Sequence, residues 1–348
     1  MNRVTERMNP FPGLRPFEFG EEHLFFGREE STDELLARLH QHHLVAVVGP
    51  SGSGKSSLLR AGLLPALYSG FLPGTGSQWR FAYVQPGSNP IHSLAVALAQ
   101  SQPHQRSATQ TDGPRSIPGG ELAGEGTRTA VARPHIGQPV TQESQVMAAG
   151  ELASQTAGIE STLRRGRLGL VEVVRQAQMP PQESTIVMVD GLESWIHSGA
   201  WGTSDTHLSF NTDARPNVSN QLRLNTPPPH SAPAGVRLGP PFNPEDEAAA
   251  FIKLLLAAIQ QREHPIYVAI ALRSDFVGDC SRFVGLPEAI NHSQYLIPRM
   301  TRDQRRAAIE GPIGVVGGGI APQLVQRMLS DIGDSLEPLP ATQHALMR

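Results

Sequence analysis

Leu44-Val45-Ala46-Val47-Val48-Gly49-Pro50-Ser51-Gly52-Ser53-Gly54-Lys55-Ser56 decides the fold of this chain. The run Leu44 to Val48 is apolar and rich in β-branched residues, the composition of a buried strand. Directly after it, Gly49 to Ser56 match the phosphate-binding pattern G-x-x-x-x-G-K-[ST]. Small residues let successive backbone N–H groups curl around phosphates, and a helix expected from about Lys55 to Tyr68 points its positive end at them. Lys55 would reach the β- and γ-phosphates, and the Ser56 hydroxyl would ligate Mg²⁺. Gly49, Pro50, Ser51, Gly52, Ser53, Gly54 and Ser57 complete the cradle. The pattern therefore implies a nucleoside-triphosphate site. The alternative, a merely glycine-rich turn, does not account for a β-branched strand before it and an apolar-periodic helix after it.

Composition bounds the rest. With 348 residues the chain can bury a sizeable core and form about two domains. A formal net charge of −3 gives no argument for a nucleic-acid partner, and Arg164-Arg165-Gly166-Arg167 reads as a solvated helix face. Cys280 is the only cysteine, which excludes an internal disulfide and a cysteine-rich metal site and suits a reducing compartment. The N-terminus lacks an apolar leader core, and no stretch reaches the roughly 18 apolar residues of a membrane span. The expectation is a cytoplasmic protein without membrane contact.

The chain reads as alternating strands and helices, the pattern of an α/β fold with a parallel sheet. Residues 1–30 are extended and broken by Pro10, Pro12 and Pro16, with Phe11, Phe17, Phe25 and Phe26 expected to pack on the following domain. A helix fits Ser31 to Gln41, a second strand Arg80 to Gln85, and a helix carries Ile91, Leu94, Ala95 and Leu98. Residues of about 101–160 are rich in Gln, Ser, Thr, Gly and Pro and read as a disordered insertion, because such a mixture buries too little apolar surface to offset its ordering entropy. A helix is expected from Thr162 to Ala177 and a buried strand from Thr185 to Asp190; about 198–241, with Pro227-Pro228-Pro229, reads as a second insertion. A helix from Pro244 to Gln261, the strand Ile266 to Leu272 and the strand Gln294 to Pro298 complete an expected core of 31–300. In 301–348, Thr301 and Gln304 have the spacing of a capping box, and further helices fit Pro322 to Asp331 and from Pro338 onward. The last helix is still apolar-periodic where it stops at Arg348, so a fragment or an early-terminated reading frame is expected.

Three side chains beyond the loop are candidates for chemistry. Asp190 closes an apolar strand downstream of the loop, where P-loop NTPases keep the acid that holds the Mg²⁺ water shell; the bland alternative is a strand-terminal Asp. Glu193 would lie just past the strand end and could polarise the attacking water, or be a surface Glu. Arg273 ends another strand and would open onto the same sheet edge, there to sense the γ-phosphate or simply to pair with Asp275 or Asp279. His40, His42 and His43 read as a polar helix end, no Ser-His-Asp arrangement suggests itself, and no second-substrate site for a small-molecule kinase is recognisable.

From Asn9 to Arg348, the two insertions apart, the chain resembles the STAND proteins, signal-transduction ATPases with numerous domains, specifically the novel type 1 branch found mostly in bacteria. The resemblance rests on Asn9-Pro10-Phe11-Pro12-Gly13-Leu14-Arg15-Pro16-Phe17, Phe25-Phe26-Gly27-Arg28-Glu29, the loop with Ser57-Leu58-Leu59-Arg60-Ala61-Gly62-Leu63-Leu64-Pro65, Leu272-Arg273-Ser274-Asp275-Phe276, Tyr295-Leu296-Ile297-Pro298-Arg299-Met300-Thr301 and Leu339-Pro340-Ala341-Thr342-Gln343-His344-Ala345-Leu346. It implies a switch holding ATP or ADP with Mg²⁺: a P-loop sheet with a helical lid, at rest around ADP and opened by ATP exchange. It further implies that Arg28, in Gly27-Arg28-Glu29, helps seat the nucleotide, that Pro340 packs against the adenine, and that self-association or C-terminal sensor repeats act as partners. The family's acidic strand motif carries two adjacent acids after the Asp. Asp190-Gly191-Leu192-Glu193-Ser194 departs from it, so the resemblance carries binding further than hydrolysis. The expected activity is an ATP-binding, slowly hydrolysing switch; the alternative is a nucleotide-holding scaffold.

Overall fold

The computed structural model describes residues 9–101, 142–177, 180, 183–192, 244–262, 264–332 and 338–347. Its centre is a five-stranded parallel sheet of β1 (Leu44–Gly49), β2 (Gln78–Val84), β3 (Glu183–Asp190), β4 (Ile266–Arg273) and β5 (Gln294–Leu296). The strand order is β2-β3-β4-β1-β5, with Gly49 paired to Arg273, Asp190 to Ala271 and Tyr83 to Met188. The fold is thus the expected α/β P-loop sheet flanked by helices.

Near-continuous apolar strands are what a sheet covered on both faces requires. Leu44, Ala46, Val187, Val189, Val268, Ile270 and Leu272 face one way. They pack under α3 (Pro90–Gln100), α4 (Gln142–Leu163), α5 (Gly169–Gln176), α6 (Pro244–Ala258) and α7 (Leu286–Ser293). The alternate residues Val45, Val47, Ile186, Met188, Ala269 and Ala271 face the other way. There they meet α1 (Glu29–His42) and α2, a helical rod continuing through Lys55–Ser57, Leu58–Leu63 and Leu64–Tyr68. The middle third of α2 is π-helical, with Leu64 N–H donating to the Leu59 carbonyl. Pro65 follows at once; it has no N–H, and its ring would collide with a carbonyl one α-turn back, which the wider turn relieves.

Two helices differ from expectation. Residues 142–160, read as part of the first insertion, form most of α4. The composition is polar, but Leu152, Thr156, Ile159 and Leu163 recur at helical spacing and are buried or half-buried, with Ile159 and Leu163 in the core. The helix expected over Thr162 to Ala177 is in fact two: α4 ends at Leu163, and α5 begins after a turn in which Gly169 N–H donates to the Gly166 carbonyl at 2.9 Å. The remainder of the first insertion and the whole of the second lie outside the described residues.

Beyond the sheet, α8 (Arg302–Val315), α9 (Pro322–Ile332) and α10 (Pro338–Met347) form a small helical unit around Ile309, Val325 and Leu329. The Thr301 capping box starts α8: Gln304 N–H donates to Thr301 Oγ1 at 3.2 Å, and Thr301 N–H to Gln304 Oε1 at 2.9 Å. The N-terminal segment lies over α2. Phe17 and Leu24 are buried against Ala61, and the Phe17 and Phe25 rings meet edge to face at 5.5 Å. Asn9 Nδ2 donates to the Met347 carbonyl at 2.6 Å, joining this segment to α10.

Candidate functional site

The loop between β1 and α2 turns where the sequence places small residues. Gly52 and Gly54 adopt φ of 71° and 88°, left-handed values that L side chains rarely take. That turn brings Lys55 back over the loop: its buried Nζ donates to the Gly49 carbonyl at 3.0 Å and the Pro50 carbonyl at 2.7 Å. Ser53 Oγ also donates to the Pro50 carbonyl, at 2.8 Å, while Ser51 is exposed. Ser57 Oγ accepts from Phe17 N–H at 3.2 Å, so this cradle residue also anchors the N-terminal segment.

Asp190, at the carboxyl end of β3, reaches the loop. Its Oδ1 accepts from Ser56 Oγ at 3.0 Å, and its Oδ2 from Tyr83 Oη at 2.8 Å, with Arg60 Nη2 at 3.3 Å. Arg60 also pairs with Glu18 at 2.5 Å and bonds the Tyr83 hydroxyl. Burial works against the Arg60 charge, but Tyr83, Glu18 and Asp190 together outweigh it, so its pKa rises. The Tyr83 hydroxyl is pushed up to about 12 by burial first and by the neighbouring Asp190 carboxylate second.

Arg28 is buried at the start of α1. It donates to the Pro298 carbonyl at 2.8 Å and to the Ser53 carbonyl at 3.4 Å, tying the N-terminal segment, the end of the sheet and the loop together. Desolvation lowers its pKa. Arg273 lies beside Gly49 in register, yet its guanidinium turns to Asp275 at 2.6 Å and over the Phe276 ring at 5.4 Å. Glu193 lies outside the described residues.

A cleft of about 210 Å³ opens on the loop. Gly52, Gly54, Lys55, Ser56 and Ser57 form its floor, Gly13 to Phe17, Leu24 to Phe26 and Arg28 one wall, and Met300, Ala308, Leu339, Pro340 and Gln343 the other. Lys55, Ser56, Ser57, Arg28 and Pro340 thus share one cavity, with Asp190 bonded at its floor; Arg273 is not among its lining residues. A floor of loop amides and an ammonium, a Ser-Asp pair beside it and walls of apolar and aromatic side chains fit a polyphosphate, a hard divalent cation and a flat base. Tyr83, Arg60 and Glu18 were not singled out by sequence reasoning. Tyr83 carries no local signal, because it meets Asp190 only through the pairing of β2 with β3, whereas Arg60 lies one helical turn after Ser56 in the stretch that carries the resemblance.

Among the described residues no helix is long and apolar enough to cross a membrane. No solved structure matches the chain. A segment of 66 residues is 30% identical to the phosphate import ATP-binding protein PstB 2 of Bacillus licheniformis, covering 17% of this chain. The match spans 24% of that relative's length. Residues 10–348 match the family described as Novel STAND NTPase 1. With a match of that extent over a P-loop sheet whose loop and flanking walls converge on one cleft, with Asp190 bonded to Ser56 at its floor, the chain belongs to the Novel STAND NTPase 1 family.

Proposed function

We propose that this chain is a signalling switch that binds ATP or ADP with Mg²⁺ and hydrolyses ATP slowly. The observation that carries this reading is the cleft walled on one side by the N-terminal segment and on the other by the lid helices, with the phosphate loop as its floor. A ligand held there touches both walls, so a state that differs by one phosphate can bias how they close.

In this reading Lys55 and the amides from Gly49 to Ser56 hold the phosphates, while Arg28 and Pro340 bound the base end. Ser56 and Asp190 hold the cation, which when bound neutralises charge on the phosphates. Glu193 would take the proton of the attacking water, and Arg273 would leave Asp275 to engage the γ-phosphate. The name of the PstB relative, an ATP-binding protein, supports ATP as the nucleotide. The proposed division is an N-terminal segment of 1–30, a core of 31–300 and a lid of 301–348. The proposed setting is a bacterial cytoplasm, with self-association or sensor repeats relaying the state.

Calorimetric titration with ATP and ADP in the presence of Mg²⁺, beside a phosphate-release assay, tests the proposal. Uptake of both nucleotides with slow release of phosphate is expected; no uptake by folded protein overturns it. One observation favours a second reading, a nucleotide-holding scaffold: Asp190-Gly191-Leu192-Glu193-Ser194 has Ser at the position where the family resemblance implies a second acid. Thermal stabilisation by Mg-ADP with no phosphate release would select it.

A further inference from the structure

The two carboxylate oxygens of Asp190 have different surroundings. Oδ1 accepts from Ser56 on the loop, whereas Oδ2 turns toward β2 and accepts from Tyr83 at 2.8 Å and, at the longer distance of 3.3 Å, from Arg60 Nη2. The direction of the Tyr83 bond follows from counting. A phenol has one proton to give and otherwise only accepts. Two N–H donors reach the Tyr83 oxygen, Arg60 Nη2 and, at 3.0 Å, Gln85 Nε2, which leaves the hydroxyl proton for Asp190. Arg60 is itself braced: Nη1 meets Glu18 Oε1 at 2.5 Å, and the guanidinium carbon lies 4.4 Å from the centre of the Tyr83 ring. The Arg60 and Asp190 side chains are each 13% exposed. In such a desolvated cluster a bond to a charged oxygen is costly to give up.

We propose that Tyr83, backed by Arg60 and Glu18, is a positioning residue that commits one oxygen of Asp190 and leaves a single oxygen for the cation, so that the site selects magnesium over calcium. This rests on the reading of Ser56 and Asp190 as the cation site. Magnesium is satisfied by few protein ligands and keeps several waters, whereas calcium takes six to eight oxygens and often grips a carboxylate through both. A two-oxygen grip on Asp190 would require displacing the charge-assisted bond from Tyr83, the shorter of the two that Oδ2 accepts, as well as the 3.3 Å contact of Arg60.

The test is a binding measurement on the full chain. The concentrations of Mg²⁺ and of Ca²⁺ that half-saturate uptake of a fluorescent ATP analogue are compared in the wild type and in Tyr83→Phe, which keeps the ring and deletes only the hydroxyl. The calcium-to-magnesium ratio is expected to fall by about tenfold in the variant, the scale of one hydrogen bond to a charged group. Gln85→Ala, which removes a donor into the hydroxyl but not its bond to Asp190, is expected to keep the wild-type ratio. If Tyr83→Phe does not fold, Arg60→Lys, which replaces the planar fork that meets Glu18 through Nη1 and Tyr83 through Nη2 with one ammonium nitrogen, is expected to move the ratio the same way. A wild type that binds the analogue with Mg²⁺ and a variant with an unchanged ratio overturn the positioning role alone. A folded wild type that takes up no analogue with either cation overturns the cation-site reading and this inference with it.

Discussion

Ser56 and Asp190 stand 134 positions apart in the chain and are joined by a 3.0 Å hydrogen bond from the Ser56 hydroxyl to Asp190 Oδ1. The parallel sheet makes the contact: β1 and β3 flank β4 and all three run the same way, so the loop after β1 and the acid ending β3 emerge on one edge. A hydroxyl and a carboxylate held at this distance present two oxygens to one small volume, which is what a hard cation needs.

Lys55→Ala removes the ammonium that closes on the Gly49 and Pro50 carbonyls. Charge-assisted bonds to phosphate are among the stronger polar contacts, so nucleotide affinity is expected to fall by about a hundredfold. Calorimetry with ATP reads the change, and an affinity within threefold of wild type would remove Lys55 from the site.

Glu193→Gln keeps the size and hydrogen-bonding reach of the side chain and removes its basicity. Phosphate release is expected to drop by roughly two to four orders of magnitude while ATP binding survives, the signature of a lost general base. Equal turnover in the two proteins rejects Glu193 as the base and leaves the nucleotide site standing.

Gly27→Ala tests the closure between the N-terminal segment and α8. At φ 82° an added methyl is strained, and its carbon would lie 2.4 Å from the Gln304 carbonyl oxygen. The loss expected in urea unfolding is about 2 to 4 kcal/mol, strain plus collision. Gly70→Ala has a similar φ of 78° with nothing within 4 Å, so it isolates the strain, about 1 kcal/mol. Equal losses in the two variants would mean that the approach to Gln304 carries no energy.

Alkaline stability carries a signature of Cys280. Burial, with Asp279 adding to it, raises its thiol from 9.0 to about 11. The unfolded thiol therefore releases its proton first, so the stabilising contribution is present below pH 9 and is lost as pH rises toward 11. A decline on the order of 2 kcal/mol is expected across that window, followed by a further decline as Tyr68 and Tyr83, both raised to about 12 by burial, come into play above pH 10. Cys280→Ala should flatten the first part and leave the second. Urea unfolding at pH 8, 9.5 and 10.5 checks it; an unchanged slope between pH 8 and 10.5 in the variant contradicts the assignment.

What the sequence determined by itself was local. The loop is legible because Gly52 and Gly54 meet a backbone demand within a few residues; the Thr301 and Gln304 capping box is legible because its bonds span three positions; β1, β3 and β4 are legible because each carries an unbroken apolar run, at 44–48, 186–189 and 266–272. Asp190 could be named as a candidate from its place at a strand end. Polar composition hid α4, whose burial depends on neighbours from other parts of the chain. Only the tertiary structure decided that β2 lies beside β3, and with it that Tyr83 and Arg60 converge on Asp190, that Arg28 is buried between Pro298 and Ser53, and that Arg273 turns to Asp275 rather than into the cleft. The physical reason is that turns, caps and strand periodicity are set by forces acting over a few residues. The partner of a side chain is set by which strands are adjacent, and that depends on how the whole sheet buries its apolar faces.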